Sequence, residues 1–415
     1  MLRRKSKLIQ TVICIAVLFV VPVLVSAPAV KGGDIPVDMS GLTTRTPWQE
    51  ARPDGIMTTS NGADTPFLNR YYPWYAFIND SGSRGELPLW NPYESFGTPF
   101  LALWRSRALS PFSVPVYFLP LQQGIGVSIF LKLLIAGLGA YYAARRFHFS
   151  PSYAILPAIT FQMSGIFLVG HWHPAADVLP WFPLLLPTLQ RLLLGEYRIW
   201  PFPAILTAIM ALGGDPETVA VIILFIMVLT LVYGVRTHTI RHLTGALVTL
   251  IFAVLLGLLL TSLQLVPYIE FLRYGTILDD SSNALLRFTD LAMLLAPIAA
   301  SSTEINTSTW LPAGCLGFLL IPLWLAVRPF SNRIQKRRLE SFVLATFVVF
   351  AVSIFTPFFR MLPGLSHFSC WHFAVPFTLA CGFVAAAAAE EWVHLDAEQC
   401  KIDRKSTRLN SSHYS

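Results

Sequence analysis

Long apolar runs separated by short polar breaks dominate the chain. The first extends from Leu8 to about Val25, behind Arg3, Arg4, Lys5 and Lys7. Others lie at about 124–143, 151–170, 176–194, 200–213, 217–234, 244–267, 310–327, 340–357 and 372–389. A helix crossing a bilayer needs about 20 mostly apolar residues, so the pattern predicts about ten transmembrane helices. The run at 200–213 is short and carries Pro201 and Pro203, which predicts a tilted or broken helix. The stretch 109–122 is apolar too, yet Pro111, Pro115 and Pro120 suit an interfacial or re-entrant piece better than a span.

The polar breaks set a direction. With the N-terminus inside, the inner breaks hold Arg145 and Arg146, Arg191 and Arg198, Arg236 and Arg241, then Arg328, Arg333, Lys336, Arg337 and Arg338. The outer breaks near 171–175 and 213–216 hold no Lys or Arg, and 358–370 holds only Arg360. This asymmetry predicts a cytoplasmic N-terminus. Residues 27–123 then form a large first extracytoplasmic loop, because long segments cross largely regardless of charge. The length of the first run favours a retained anchor over a cleaved signal peptide, for which Val25-Ser26-Ala27 offers small residues.

Composition agrees with this reading. Hydrophobic residues make up 54% of the 415 positions and charged residues 13%, about half the charge of an ordinary soluble domain. The net charge of +7 sits in the inner breaks, so it argues for topology and against a nucleic-acid partner. The expected organisation is a cytoplasmic tip with a first helix at 1–26, the loop with its interfacial segment at 27–123, and a multi-span domain at 124–395. Residues 405–415 are polar and non-periodic and read like translated adapter sequence, so the natural chain is expected to continue past about residue 400; a natural disordered tail is the alternative.

Ionisable side chains at bilayer depth cost about 2.5 kcal/mol or more, which makes the polar residues near span ends candidates for function. In the first outer segment, Asp64 precedes Arg70-Tyr71-Tyr72-Pro73-Trp74, Gly85-Glu86-Leu87-Pro88-Leu89-Trp90-Asn91-Pro92 and Gly97-Thr98-Pro99-Phe100-Leu101. A flexible linker would be rich in Ser and Gly, whereas this density of aromatics and prolines predicts a segment folded against the membrane surface. Asp64 taken alone also suits a turn or cap. His171, His173 and Asp177 have the types to ligate a divalent metal, and are equally ordinary at a membrane interface. Asp215 and Glu217 flank Pro216 as helix cap and first-turn acid, or as site residues. Gln264 and Glu270 end the 244–267 run, and His372 opens the last one. Acids thus gather on the predicted outer side, which suggests a site opening outward. There is no Gly-rich nucleotide loop, no HExxH and no nucleophile elbow.

The blocks around Asp64, Tyr71-Tyr72-Pro73-Trp74 and Gly85–Leu101 resemble the first extracytoplasmic loop of the bacterial YfhO-type membrane proteins. His171…Trp181-Phe182-Pro183, Gly214-Asp215-Pro216-Glu217, Gln264–Glu270 and Leu362-Pro363-Gly364 are similar to that family's later blocks. The family in turn resembles the GT-C membrane glycosyltransferases. That resemblance implies an all-α polytopic membrane protein of the bacterial cytoplasmic membrane. It implies sugar transfer from a polyprenyl-phosphate donor to a cell-envelope polymer acceptor on the outer side. By position Asp64 takes the catalytic role, as general base toward the acceptor hydroxyl. Arg70, Arg105, Arg107 or a divalent cation would meet the departing lipid phosphate. Tyr71, Trp74 and Trp90 would stack on sugar or lipid, with Tyr72, Asn91, His171, His173, Asp215, Glu217, Gln264 and Glu270 completing the substrate surface. Two other readings stand beside it: a non-catalytic envelope-assembly protein, and a lipid or sugar transporter. For transport the sequence offers Lys132, which can also snorkel out of its helix.

Overall fold

This computed structural model describes residues 2–32, 67–94, 96–168, 170–237, 240–274, 333–352 and 375–412, with positions 50, 358, 361, 372 and 373. The described residues are helical apart from turns and a single antiparallel bridge between Asn91 and Thr98. The apolar runs account for this. In lipid the backbone must satisfy its own hydrogen bonds, and the helix does so within one segment.

Four of the described helices are long and apolar enough to cross a bilayer. They are the Leu8–Lys31 part of α1 (Leu2–Gly32), α4 (Leu121–Arg146), the Pro216–Arg236 part of α10 (Pro216–Thr237), and the Arg241–Leu260 part of α11 (Ile240–Leu260), with the shorter α2 (Tyr72–Ser83) and α3 (Val114–Phe118) between the first two. Other expected runs among the described residues are shorter or less regular helices. Residues 151–170 form α5 (Pro151–Gln162) and the short α6 (Gly165–Leu168). Residues 176–194 run contiguously through α7 (Ala175–Val178), a 3-10 turn and α8 (Phe182–Leu193), the helical backbone continuing through both junctions while the hydrogen-bond pattern tightens beside Pro180. The 200–213 run gives α9 (Pro201–Leu212). Taken alone, a 12-residue helix such as α5 or α9 extends about 18 Å, less than a bilayer's hydrocarbon core.

The expected span at 244–267 is present but lies a few residues nearer the N-terminus. α11 ends at Leu260, and α12 (Ser262–Tyr274) starts after Thr261, whose hydroxyl turns back onto the Leu258 carbonyl at 2.7 Å. Toward the C-terminus lie α13 (Arg333–Val352) and α14 (Val375–Ser412). α14 carries the polar stretch after Lys405 as helical backbone as far as Ser412. The 310–327 run and most of 33–66, including Asp64, lie outside the described residues.

Helices α1, α4 and α5 form one packed group, with α14 against α5, α13 against α10, and α9 against α11. Gln162 ties the first group together, because its amide donates to the carbonyls of Leu18 and Leu133, 3.0 Å each. A chain of rings joins the groups: Phe161–Phe182 at 6.4 Å, Phe182–Phe225 at 5.6 Å, Phe225–Phe342 at 5.1 Å and Phe342–Phe383 at 5.1 Å.

The bundle has two chemically different ends. At one, Arg338 donates to the Tyr233 hydroxyl and the Arg146 carbonyl, 3.1 Å each, and Arg236 lies 3.9 Å from Glu340. The C-terminal ends of α4 and α10 therefore share a basic rim with the start of α13. Beyond the opposite end of α10 lies a buried polar cluster.

Candidate functional site

The cluster is organised by a tight turn at Trp104–Ser106, shortly after the Asn91–Thr98 bridge. Trp104 anchors it: its indole N–H donates to the Ala211 carbonyl at 2.5 Å, and its ring meets Tyr268 edge-on at 4.7 Å. The Gln264 amide donates to the Trp104 carbonyl at 3.4 Å. The turn is thereby held between the end of α9 and α12. Arg105 and Arg107 project from it into two adjoining sets of charges.

Asp177, on α7, is the centre of the first set. Lys132 Nζ lies 2.7 Å and Arg107 Nη1 3.2 Å from Asp177 Oδ1, while the Ser110 hydroxyl donates to Oδ2 at 2.7 Å. Lys132 also donates to the His171 carbonyl at 3.1 Å. The Arg107 guanidinium sits over the rings of Tyr71 at 5.1 Å and Tyr75 at 4.9 Å, a cation–π arrangement. Burial works against its charge, but Tyr75, Asp177 and Tyr71 raise its pKa. Arg107 adopts a left-handed backbone (φ 57°), which costs a non-glycine residue roughly 1–2 kcal/mol. The Ser110 N–H at 3.0 Å and the Ser113 hydroxyl at 2.8 Å, both donating to the Arg107 carbonyl, hold it there.

Arg105 carries the second set. Its Nη2 is 3.3 Å from Glu217 Oε1 and 3.6 Å from Asp215 Oδ1. His372 Nε2 lies 3.7 Å from Asp215 Oδ2, which also accepts from the Thr218 hydroxyl. Burial alone would push the Asp215 carboxyl up; His372, Arg105 and His173 instead hold it at about 2. Burial likewise opposes the Arg105 charge, which Glu217, Asp215 and Tyr71 restore and strengthen. Donor atoms of Asp215, Glu217 and His372 lie within 4.8 Å of one another.

Gly214 lets the two sets adjoin. Its φ of +89° disfavours an L side chain, and a Cβ there would stand 2.5 Å from Arg107 Cγ and 3.0 Å from the Trp104 carbonyl.

The structure brings together some expected site residues and not others. Asp215, Glu217, Gln264, His171 and Tyr71 all belong to the cluster or line it. His173 is half-buried, its Nδ1 accepting from the Ala175 N–H at 3.2 Å. The His171, His173, Asp177 metal set is not formed, because two cations occupy Asp177. Burial, with Lys132 and Arg107 nearby, lowers the His171 pKa to about 3. Arg70 lies over Trp74 at 5.9 Å, and the Trp74 indole donates to Glu94 at 2.8 Å. Tyr72 packs against Phe67 at 5.8 Å. Asn91 is buried in the bridge with Thr98 and braces the loop. Trp90 and Glu270 are exposed and stand apart from the cluster. Lys132 does not snorkel; it is 2% exposed and ion-paired.

Residues 68–401 match the family model described as bacterial membrane protein YfhO. No curated protein and no solved structure matches.

Proposed function

The chain belongs to the YfhO family of bacterial membrane proteins, and we propose that it is a GT-C-like glycosyltransferase that moves a sugar from a polyprenyl-phosphate donor to a cell-envelope acceptor on the outer side of the membrane. One observation carries the reading. Segments 67–83, 104–110, 171–177, 213–218 and residues 264 and 372, far apart in sequence, converge on one polar cluster beyond the end of α10 opposite the basic rim. Binding or chemistry justifies so many buried charges more readily than folding does.

In this reading about ten spans hold the cluster on the outer side, with the N-terminus in the cytoplasm. Asp64, in the chain leading to the Phe67–Tyr71 turn, takes the proton from the acceptor hydroxyl as its oxygen bonds to the sugar's anomeric carbon. The bond from that carbon to the lipid phosphate breaks, and the phosphate leaves with the electron pair. Arg105 is the best-placed arginine to meet it, being 19% exposed, whereas Arg107 is sealed behind Tyr71 and Tyr75. Arg107 therefore supports the site. Tyr71 and Trp74 form its aromatic wall.

Asp64→Asn in the full-length protein tests this. Cells carrying the variant at normal abundance should lose transfer of labelled sugar to the envelope polymer. Undiminished transfer would remove Asp64 from the mechanism, and restored polymer synthesis without any transfer activity would favour the envelope-assembly role. The buried Lys132–Asp177 pair favours a second reading, transport, since paired charges within a spanning helix often mark a substrate path. Counterflow of a lipid-linked sugar through proteoliposomes separates the two.

A further inference from the structure

We infer that Asp215, Glu217 and His372 form a divalent-cation site whose bound ion receives an anionic group. The donors come from three places: the turn before α10, the first turn of α10, and the residues just before α14. They nevertheless converge to within 4.8 Å. Ligands ringing one divalent ion at about 2.0–2.6 Å stand up to about 4–5 Å apart, so only small shifts close the ring.

Charge gives the first argument. Among the described residues, and with His372 neutral as a metal ligand must be, Arg105 is the one cation within 4 Å of two carboxylates that are 0% and 1% exposed, because Arg107 and Lys132 sit on Asp177. A buried carboxylate without full compensation is costly. The second argument is independent of that count. Among the described residues, no N–H or hydroxyl donor reaches the buried Glu217 Oε2 or Asp215 Oδ1, though Arg105 stands 3.6 Å from the latter. Buried carboxylate oxygens normally find donors, and a cation is the partner that two facing acids and an imidazole provide for.

Two oxygens and one imidazole nitrogen suit an ion of intermediate hardness, such as Mn2+ or Zn2+. Three protein ligands leave coordination positions open. With the ion bound, the carboxylates, Arg105 and the metal sum to a net positive charge. The site then draws an anion, which in the glycosyltransferase reading is the donor's phosphate. That last role rests on the proposed function; ion binding does not.

The test uses the purified full-length protein, stripped with EDTA and titrated with Mn2+. One saturable site is expected, together with a raised melting temperature. Pulsed EPR of bound Mn2+ should show coupling to a single imidazole nitrogen. Glu217→Gln, close to isosteric, should weaken Mn2+ binding at least tenfold. Absence of saturable binding, absence of the nitrogen coupling, or full binding by Glu217→Gln would overturn the site. EDTA-resistant transfer that Asp64→Asn abolishes would overturn the ion's role in the reaction and leave the glycosyltransferase intact. Site-specific binding in a protein with no transferase activity would keep the ion and remove that function.

Discussion

Asp177 should be far more critical to the fold than Lys132, although the two form one ion pair. Asp177→Asn strands Lys132 and Arg107, side chains only 2% exposed, without a carboxylate. Removing one partner of a buried pair costs about 3–5 kcal/mol, and this carboxylate serves two cations, so the upper end applies. Lys132→Met keeps the stem's bulk and leaves Arg107 and Ser110 on Asp177. It forfeits a cation that was in excess and one hydrogen bond to the His171 carbonyl, a loss of about 1–2 kcal/mol. Combining the substitutions leaves one stranded cation instead of two. The double variant should therefore be more stable than the sum of the single effects by about 1–3 kcal/mol. Melting of purified protein in detergent, followed by the fraction remaining monodisperse, measures all four members of the cycle. If Lys132→Met melts as low as Asp177→Asn, or if the effects simply add, the charge balance assigned to this cluster is wrong.

Three further outcomes follow from the same geometry. Gly214→Ala places a methyl against Arg107 Cγ and the Trp104 carbonyl at positive φ, and should cost about 1–3 kcal/mol in the same melting assay. Acid should destabilise the protein through His171: its folded pKa of about 3 lies below the unfolded value near 6.5, so the unfolded chain binds the extra proton. That contribution is intact above about pH 6.5 and falls by about 1.4 kcal/mol per pH unit below it, and melting of His171→Asn should show a correspondingly shallower acid slope. Arg105→Gln should lower the initial transfer rate about 100-fold or more, as removal of one transition-state donor does, with Arg105→Lys recovering part of it.

Where the apolar pattern was long and free of proline, it foretold the helix: α4, α10 and most of α11 lie where the runs put them. The irregular elements divide by cause. Pro180 and Pro183 stand at the 3-10 turn within the 176–194 run, whereas Pro187 sits inside α8 without ending it. The break at Thr261 left no such mark, because it depends on α12 packing Tyr268 and Gln264 onto Trp104. The cluster was half legible. Asp215, Glu217 and Gln264 stood out as polar residues at span ends, and His372 was noted beside the last run. The sequence neighbours of Lys132 and Asp177 do not reveal their pairing, because their partners lie tens of residues away. Charge pairing across such distances leaves no periodicity to read. The clue that the sequence offers is the proline-bearing stretch 109–122, too interrupted to span and following directly on the turn that carries Arg105 and Arg107.

The central claim meets its most direct test in purified full-length protein reconstituted into liposomes, supplied with a labelled polyprenyl-phosphate sugar and an envelope-polymer acceptor. Covalent label in the acceptor, lost on Asp64→Asn and strongly reduced on Arg105→Gln, is the predicted result. Label that crosses the bilayer still attached to its lipid, with none reaching the acceptor, would contradict the account and identify a transporter.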